Sequence, residues 1–128
     1  MINGVVTASR DAVVRVTVRG PSGGAQRIRA VIDTGYNGWL SLPAELISRL
    51  VLPWLQIGFA TLADGSETAF NIYEGLVLWD RRPRRIPVDE SECTPLVGMS
   101  LLEGYELKMQ VCRAGKVTIK ALGRRRRT

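Results

Sequence analysis

Val14, Val16 and Val18 alternate with Arg15, Thr17 and Arg19, and no other pattern in the chain limits its fold as strongly. A period of two puts the valines on one face of a strand and the polar residues on the other. The turn residues Gly20 to Gly24 follow, and Ile28, Ala30 and Ile32 return on one face, so the segment reads as a hairpin. Further on, Leu42, Leu46, Ile47 and Leu50 fall at helical spacing behind Pro43, which predicts one short helix. A strand from Gln56 to Leu62, the turn dipeptide Asp64-Gly65 and a strand from Glu67 to about Trp79 predict a second hairpin. Strand character resumes at Ile86 to Val88 and at Thr94 to Gly98, and Met99 to Leu102 allow one helical turn ended by Gly104. Tyr105 to Val111 and Lys116 to Lys120 form a last hairpin, with Ala114-Gly115 in its turn and Val117 and Ile119 inward. Many short strands and one or two short helices predict an all-β domain, closed or sandwich-like.

At 128 residues and 45% hydrophobic content the chain is sized for one domain, expected over residues 1–123, with 124–128 a disordered basic tail. Of the 18 Lys and Arg residues, four are Arg124 to Arg127; without them 14 basic face 12 acidic residues, a surplus of two. Arg81 to Arg85, broken by Pro83, read as a charged loop or a protected strand edge. No apolar stretch is long enough to span a bilayer, and the first residues lack a basic start followed by an apolar region. The expectation is a soluble, cytoplasmic chain with no membrane partner and with Cys93 and Cys112 as free thiols.

Histidine is absent. This removes Ser-His and Cys-His nucleophile pairs and His-ligated zinc, and no phosphate-binding glycine loop occurs either. No metal or cofactor is expected, and acid-base work falls to carboxylates. Asp33 stands out among them. It ends the apolar run Ala30-Val31-Ile32 and is followed by Thr34 and Gly35, so a strand-disfavoured residue sits on a tight turn where Gly can take positive φ. A turn aspartate with no chemistry would look the same at the level of the tripeptide. The setting adds Leu40 shortly after it and a separate Leu96-Val97-Gly98 element downstream.

With Asp33-Thr34-Gly35, the short helix, the hairpin and the late Leu96-Val97-Gly98 followed by Leu101-Leu102, the chain resembles the retropepsin-like aspartic proteases, specifically the small single-domain prokaryotic type. The likeness runs from about Val5 to Ile119. It implies a closed β-barrel and a homodimer in which each chain supplies half of a site. By that resemblance Asp33 is the catalytic carboxylate, Thr34 bonds across the twofold axis and Gly35 permits the loop geometry. Leu96, Val97 and Gly98 support the loop from beneath. Ala63, Asp64, Gly65 and Ser66 fall at the mobile lid over the substrate, although Asp64-Gly65 also suits a plain hairpin. Tyr36 and Asn37 would line the substrate pocket, and Trp39 is either a pocket wall or a core anchor. The chain departs from viral members in having Met99 and Ser100 after Gly98, where those proteins carry an Arg that braces the dimer, and in lacking a Gly-rich lid tip.

The resulting expectation is an aspartic endopeptidase that hydrolyses peptides or a protein substrate through a water held by an Asp-Asp dyad. The alternatives are a noncatalytic dimeric barrel that binds a peptide segment and an RNA-binding barrel using the Arg clusters. Nucleic acid is not the expected partner, because aromatic residues make up only 6% of the chain and do not interleave with the basic runs.

Overall fold

The computed structural model describes residues 1–123, so the four tail arginines lie outside the described residues. The chain is all-β with two short helices. Its strands are β1 (Ile2–Val6), β2 (Ala12–Arg19), β3 (Ala25–Ile32), β4 (Leu40–Leu42), β5 (Trp54–Thr61), β6 (Glu67–Trp79), β7 (Arg82–Glu90), β8 (Leu96–Val97), β9 (Tyr105–Met109) and β10 (Lys116–Ala121). Helix α1 (Ala44–Arg49) follows β4, and α2 (Met99–Leu102) follows β8.

The order of pairing is β5-β6-β7-β4-β8-β3-β2-β1-β10-β9, and β6 also pairs with β2. That extra pairing, Thr17 with Leu78 through Arg19 with Leu76, closes a ring through β2, β3, β8, β4, β7 and β6. Ring closure removes free edges from the middle of the sheet and leaves them on β5 and β9. Inside lie the alternating residues of the first hairpin, Val14, Val16 and Val18 with Ile28, Ala30 and Ile32, together with Leu40, Leu42, Val88, Val97 and Ile119. Leu46, Ile47 and Leu50 of the α1 segment are buried with them, which is why this segment is helical rather than extended. Trp79 is fully buried and meets the edge of Tyr105, ring centroids 5.9 Å apart.

Several local expectations shift. β7 begins at Arg82 rather than Ile86, because the β6–β7 turn is only two residues long, Asp80 and Arg81, both at positive φ (52° and 68°). Pro83 and three of the arginines, Arg82, Arg84 and Arg85, therefore sit in a strand, with Arg81 in the turn. At their level β7 pairs only with β6, and β4 joins from Val88 onward, so the protected-edge alternative fits and the loop does not. The strand expected at Thr94 to Gly98 shrinks to Leu96–Val97, and β9 stops at Met109. β1 was not legible, since Asn3 and Gly4 interrupt its alternation. Among the described residues no helix is long and apolar enough to cross a membrane, and Cys93 and Cys112 are free and exposed.

One side-chain bond joins β8 to β4 beside their backbone pairing. Ser41, a buried polar residue only 3% exposed, accepts the Leu96 N–H at 3.1 Å. Ser41→Ala should strand that donor and cost about 1–3 kcal/mol. The check is the denaturant midpoint at unchanged m-value, and an unaltered midpoint would show that the hydroxyl is dispensable.

Candidate functional site

Asp33 is the first residue beyond β3, and its position is set by backbone bonds. Its N–H donates to the Val97 carbonyl (2.9 Å), continuing the parallel β3–β8 pairing by one residue. Its own carbonyl accepts the Tyr36 N–H at 3.1 Å, and its Oδ1 accepts the Gly35 N–H at 2.9 Å. The turn is thus closed by backbone and side chain of the same residue, the local habit of aspartate. Asp33 is half-buried, while Thr34 and Gly35 are exposed. Gly35 does not use the positive φ expected of it; the positive-φ glycines among the described residues are Gly23, Gly65 and Gly104. A Cβ at Gly35 would instead stand 3.2 Å from Asp33 Oδ1, so its smallness matters more than its dihedral freedom.

The loop that carries Asp33 is stitched to the start of α2. The Gly98 N–H donates to the Trp39 carbonyl (3.0 Å), Met99 N–H to the Tyr36 carbonyl (2.8 Å) and Ser100 N–H to the Gly38 carbonyl (3.1 Å). The Ser100 hydroxyl donates to the Asn37 carbonyl at 2.6 Å. Gly98 has to be glycine here, since a Cβ would meet the Gly38 carbonyl oxygen at 2.2 Å. The Val97 carbonyl and the Gly98 N–H thus bond the two ends of the loop, at Asp33 and Trp39, while Leu96 pairs with Val31 and Ser41.

Tyr36 reaches sideways and donates its hydroxyl to Asp89 Oδ2 on β7 at 2.5 Å. This pair lines a groove of about 720 Å³ between the β5–β6 hairpin and the end of β7. Ala60 and Leu62 form part of its hairpin wall, and Glu90 and Glu92 add carboxylates to the other side. Tyr73 donates to Glu90 at 3.3 Å across the same region. Thr34 and Asn37 line a different concavity, of about 530 Å³, with Met99, Ser100 and Tyr105. The loop therefore separates two recesses, Tyr36 facing one and Asn37 the other.

The hairpin tip lies beyond both. Leu62 N–H donates to the Ser66 carbonyl (2.7 Å) and Gly65, at φ 86°, donates to the Leu62 carbonyl (2.9 Å). Asp64 Oδ1 accepts both the hydroxyl (2.5 Å) and the N–H (2.9 Å) of Ser66, and these bonds hold the Asp64 carboxyl below its ordinary value, the hydroxyl more than the N–H. Ala63, Asp64, Gly65 and Ser66 are all exposed and line neither recess; the shafts of the hairpin face the groove instead. Trp39 packs against the core with the Arg84 guanidinium 5.3 Å from its ring centroid, so of its two alternatives the core anchor holds. Among the described residues no group of three or more Cys, Asp or Glu side chains is placed to hold a metal.

Sequence reasoning missed Asp89, Ser100 and Ser41. The signal for Asp89 was the acidic run Asp89-Glu90-Ser91-Glu92, which follows the basic cluster after Ile86-Pro87-Val88. Burial raises the Asp89 carboxyl above its ordinary value of 3.8, with the Tyr36 hydrogen bond pulling the other way. Burial also pushes the Tyr36 hydroxyl above its ordinary 10.0, and the Asp89 hydrogen bond and charge add to the rise.

The folded chain therefore keeps the Asp89 proton to higher pH than the unfolded chain does. It binds more protons through that window, and its stability falls as pH rises through it. The contribution is complete below the unfolded value near 3.8 and is lost as pH climbs past the folded one. Asp89→Asn keeps an acceptor for Tyr36 yet cannot titrate. As pH rises from 3.8 the fall in Tm should be smaller in this variant than in the parent, and identical slopes would remove Asp89 as its source.

No family model matches the chain and no curated protein matches it, so a functional reading rests on this geometry.

Proposed function

We propose that the chain is a retropepsin-like aspartic endopeptidase whose site is completed by a second copy, with Asp33 as the catalytic carboxylate of each chain. The observation that carries this reading is the suspension of Asp33. The carboxylate stands on a turn at the end of β3, its N–H held by Val97, while β8 runs between β3 and β4, the two strands that flank the turn. A loop built so firmly around one acid, with Thr34 and Gly35 left exposed beside it, suits a surface that meets its own twin.

A single carboxylate is a weak base at neutral pH. Two brought to about 3 Å by twofold symmetry cannot both ionise, so they share a proton and titrate as a unit. The ionised member takes a proton from a water between them, and the water's oxygen attacks the peptide carbonyl carbon. The protonated member donates to the developing oxyanion, and collapse of the tetrahedral intermediate with proton transfer to nitrogen releases the amine. Thr34 would bond across the axis. The β5–β6 hairpin would cover the substrate, its shafts walling the groove beside Tyr36. This mechanism also accounts for hydrolytic chemistry in a chain with no histidine.

Cleavage of a mixed peptide library should occur, follow a bell-shaped pH profile and be blocked by a hydroxyl-bearing transition-state mimic. Asp33→Asn, nearly isosteric, should lower the rate roughly a thousandfold or more, the scale on which removal of a catalytic group acts. Mixed in excess with the parent and given time to exchange, it should capture parent chains in heterodimers and reduce activity per parent chain. Heterodimers seen by mass measurement without that reduction would mean a complete site in each chain, and peptide binding without cleavage by the parent would favour the noncatalytic barrel.

A further inference from the structure

Residues directly opposite each other in neighbouring strands share a face, and the registers gather arginines on one face of the ring. Arg15 of β2 stands opposite Arg29 of β3, and Thr17 opposite Arg27. Arg19 stands opposite Leu76 of β6, which in turn stands opposite Arg85 of β7. All five arginines are exposed, whereas the alternate residues Val14, Val16, Val18, Ile28, Ala30 and Val77 are buried. The five thus point outward together.

No ion pair among the described residues neutralises them. The ion pairs among the described residues are Met1 with Asp80 and Arg49 with Glu45, and none involves this face. Glu74 shares a shallow depression with Arg19 and Arg85 but forms no ion pair. Like charges directly opposite are unfavourable in a sheet. Elsewhere the same sheet avoids them, as where Lys120 stands opposite Glu106. Arg15, Arg27 and Arg29 also border a concavity of about 360 Å³ next to β1.

We infer that this face docks an extended acidic segment of a partner polypeptide. All five cations are arginines, whose planar forks match carboxylates in bidentate fashion. Same-face side chains along a strand repeat every ~6.7 Å, and alternate residues of an extended peptide have the same spacing. Between the arginines lie apolar Leu76, Leu78 and Pro83, opposite Arg19 or Thr17 or one another in register, which suits a segment that alternates acidic with apolar residues. The rows through β3, β2, β6 and β7 carry no aromatic side chain on which nucleic-acid bases would stack. The inference is independent of Asp33.

The test uses the full chain and a fluorescent peptide of alternating Glu and Ala, long enough to cross the face, with the Gln counterpart as control. Anisotropy should show binding of the Glu peptide alone, weakening as salt is raised. The double variants Arg15→Gln/Arg29→Gln and Arg19→Gln/Arg27→Gln should each weaken it roughly tenfold or more, the scale of two lost charge-assisted contacts. Arg15→Gln/Arg29→Gln should melt no lower than the parent, since a directly opposed like-charge pair is relieved, Arg19→Gln/Arg27→Gln should melt close to it because both positions are exposed, and Lys108→Gln should leave binding unchanged. Absence of binding by the parent, or equal binding by both folded double variants, would overturn the proposal. So would an oligonucleotide of matched charge that binds more tightly than the peptide and loses affinity in the same variants, because the face would then serve a phosphate backbone.

Discussion

Leu96 and Val97 form a strand of two residues, yet the rest of the molecule is arranged around them. They pair in parallel with Val31 and Ile32 on one side and antiparallel with Leu40 and Ser41 on the other. Without them the chain on either side of the Asp33 turn would have no common partner, and the ring from β2 round to β6 would be open between β3 and β4. An open ring would leave N–H and C=O groups of two apolar strands unpaired in the core, each at a cost comparable to a lost hydrogen bond. Closing the ring and supporting the turn are therefore one event. The same two residues also bring Gly98 against the Gly38 carbonyl, where any side chain would force the loop away.

Support from beneath leaves the sides of the loop to be fixed separately. On one side the Ser100 hydroxyl holds the Asn37 carbonyl, and on the other the Tyr36 hydroxyl holds Asp89. Buried or half-buried polar groups rigidify a site when each has a partner. Asp33 gains its fixed position this way while its neighbours Thr34 and Gly35 remain exposed. The proposed meeting of Asp33 with a second chain would need both a firm backbone and an open surface.

The sequence displays this arrangement unevenly, for physical reasons. The β2–β3 hairpin, α1, the β5–β6 turn and β10 were legible because one face of each is decided by burial or by a turn dipeptide. The strand at Leu96-Val97 was legible as such, although its expected bounds, Thr94 to Gly98, were too wide. The Arg82 start of β7 was not, because its turn uses Asp80 and Arg81 at positive φ, residues that usually avoid it. Nor were the partnerships Tyr36–Asp89 and Ser41–Leu96, which join residues far apart in the chain and exist only once the ring has closed. β5 was legible as a strand but not in its surroundings, since its apolar residues Trp54, Leu55, Ile57 and Phe59 are exposed.

The arginine face follows from a comparison of magnitudes. Sliding β3 by one residue on β2 would move every side chain of the slipped strand to the other face, separating Arg15 from Arg29 but exposing Ile28, Ala30 and Ile32. Burying an Ile or Val side chain is worth about 1.5–3 kcal/mol, whereas a like-charge pair across strands costs a few tenths of a kcal/mol to about 1 kcal/mol. Burial wins, so the core fixes the register and the register fixes the arginines side by side. Because β3 also leads directly into Asp33, one decision about which residues face inward sets both the position of the candidate carboxylate and the charge of the outward face. A change in the core of this hairpin would be felt at both.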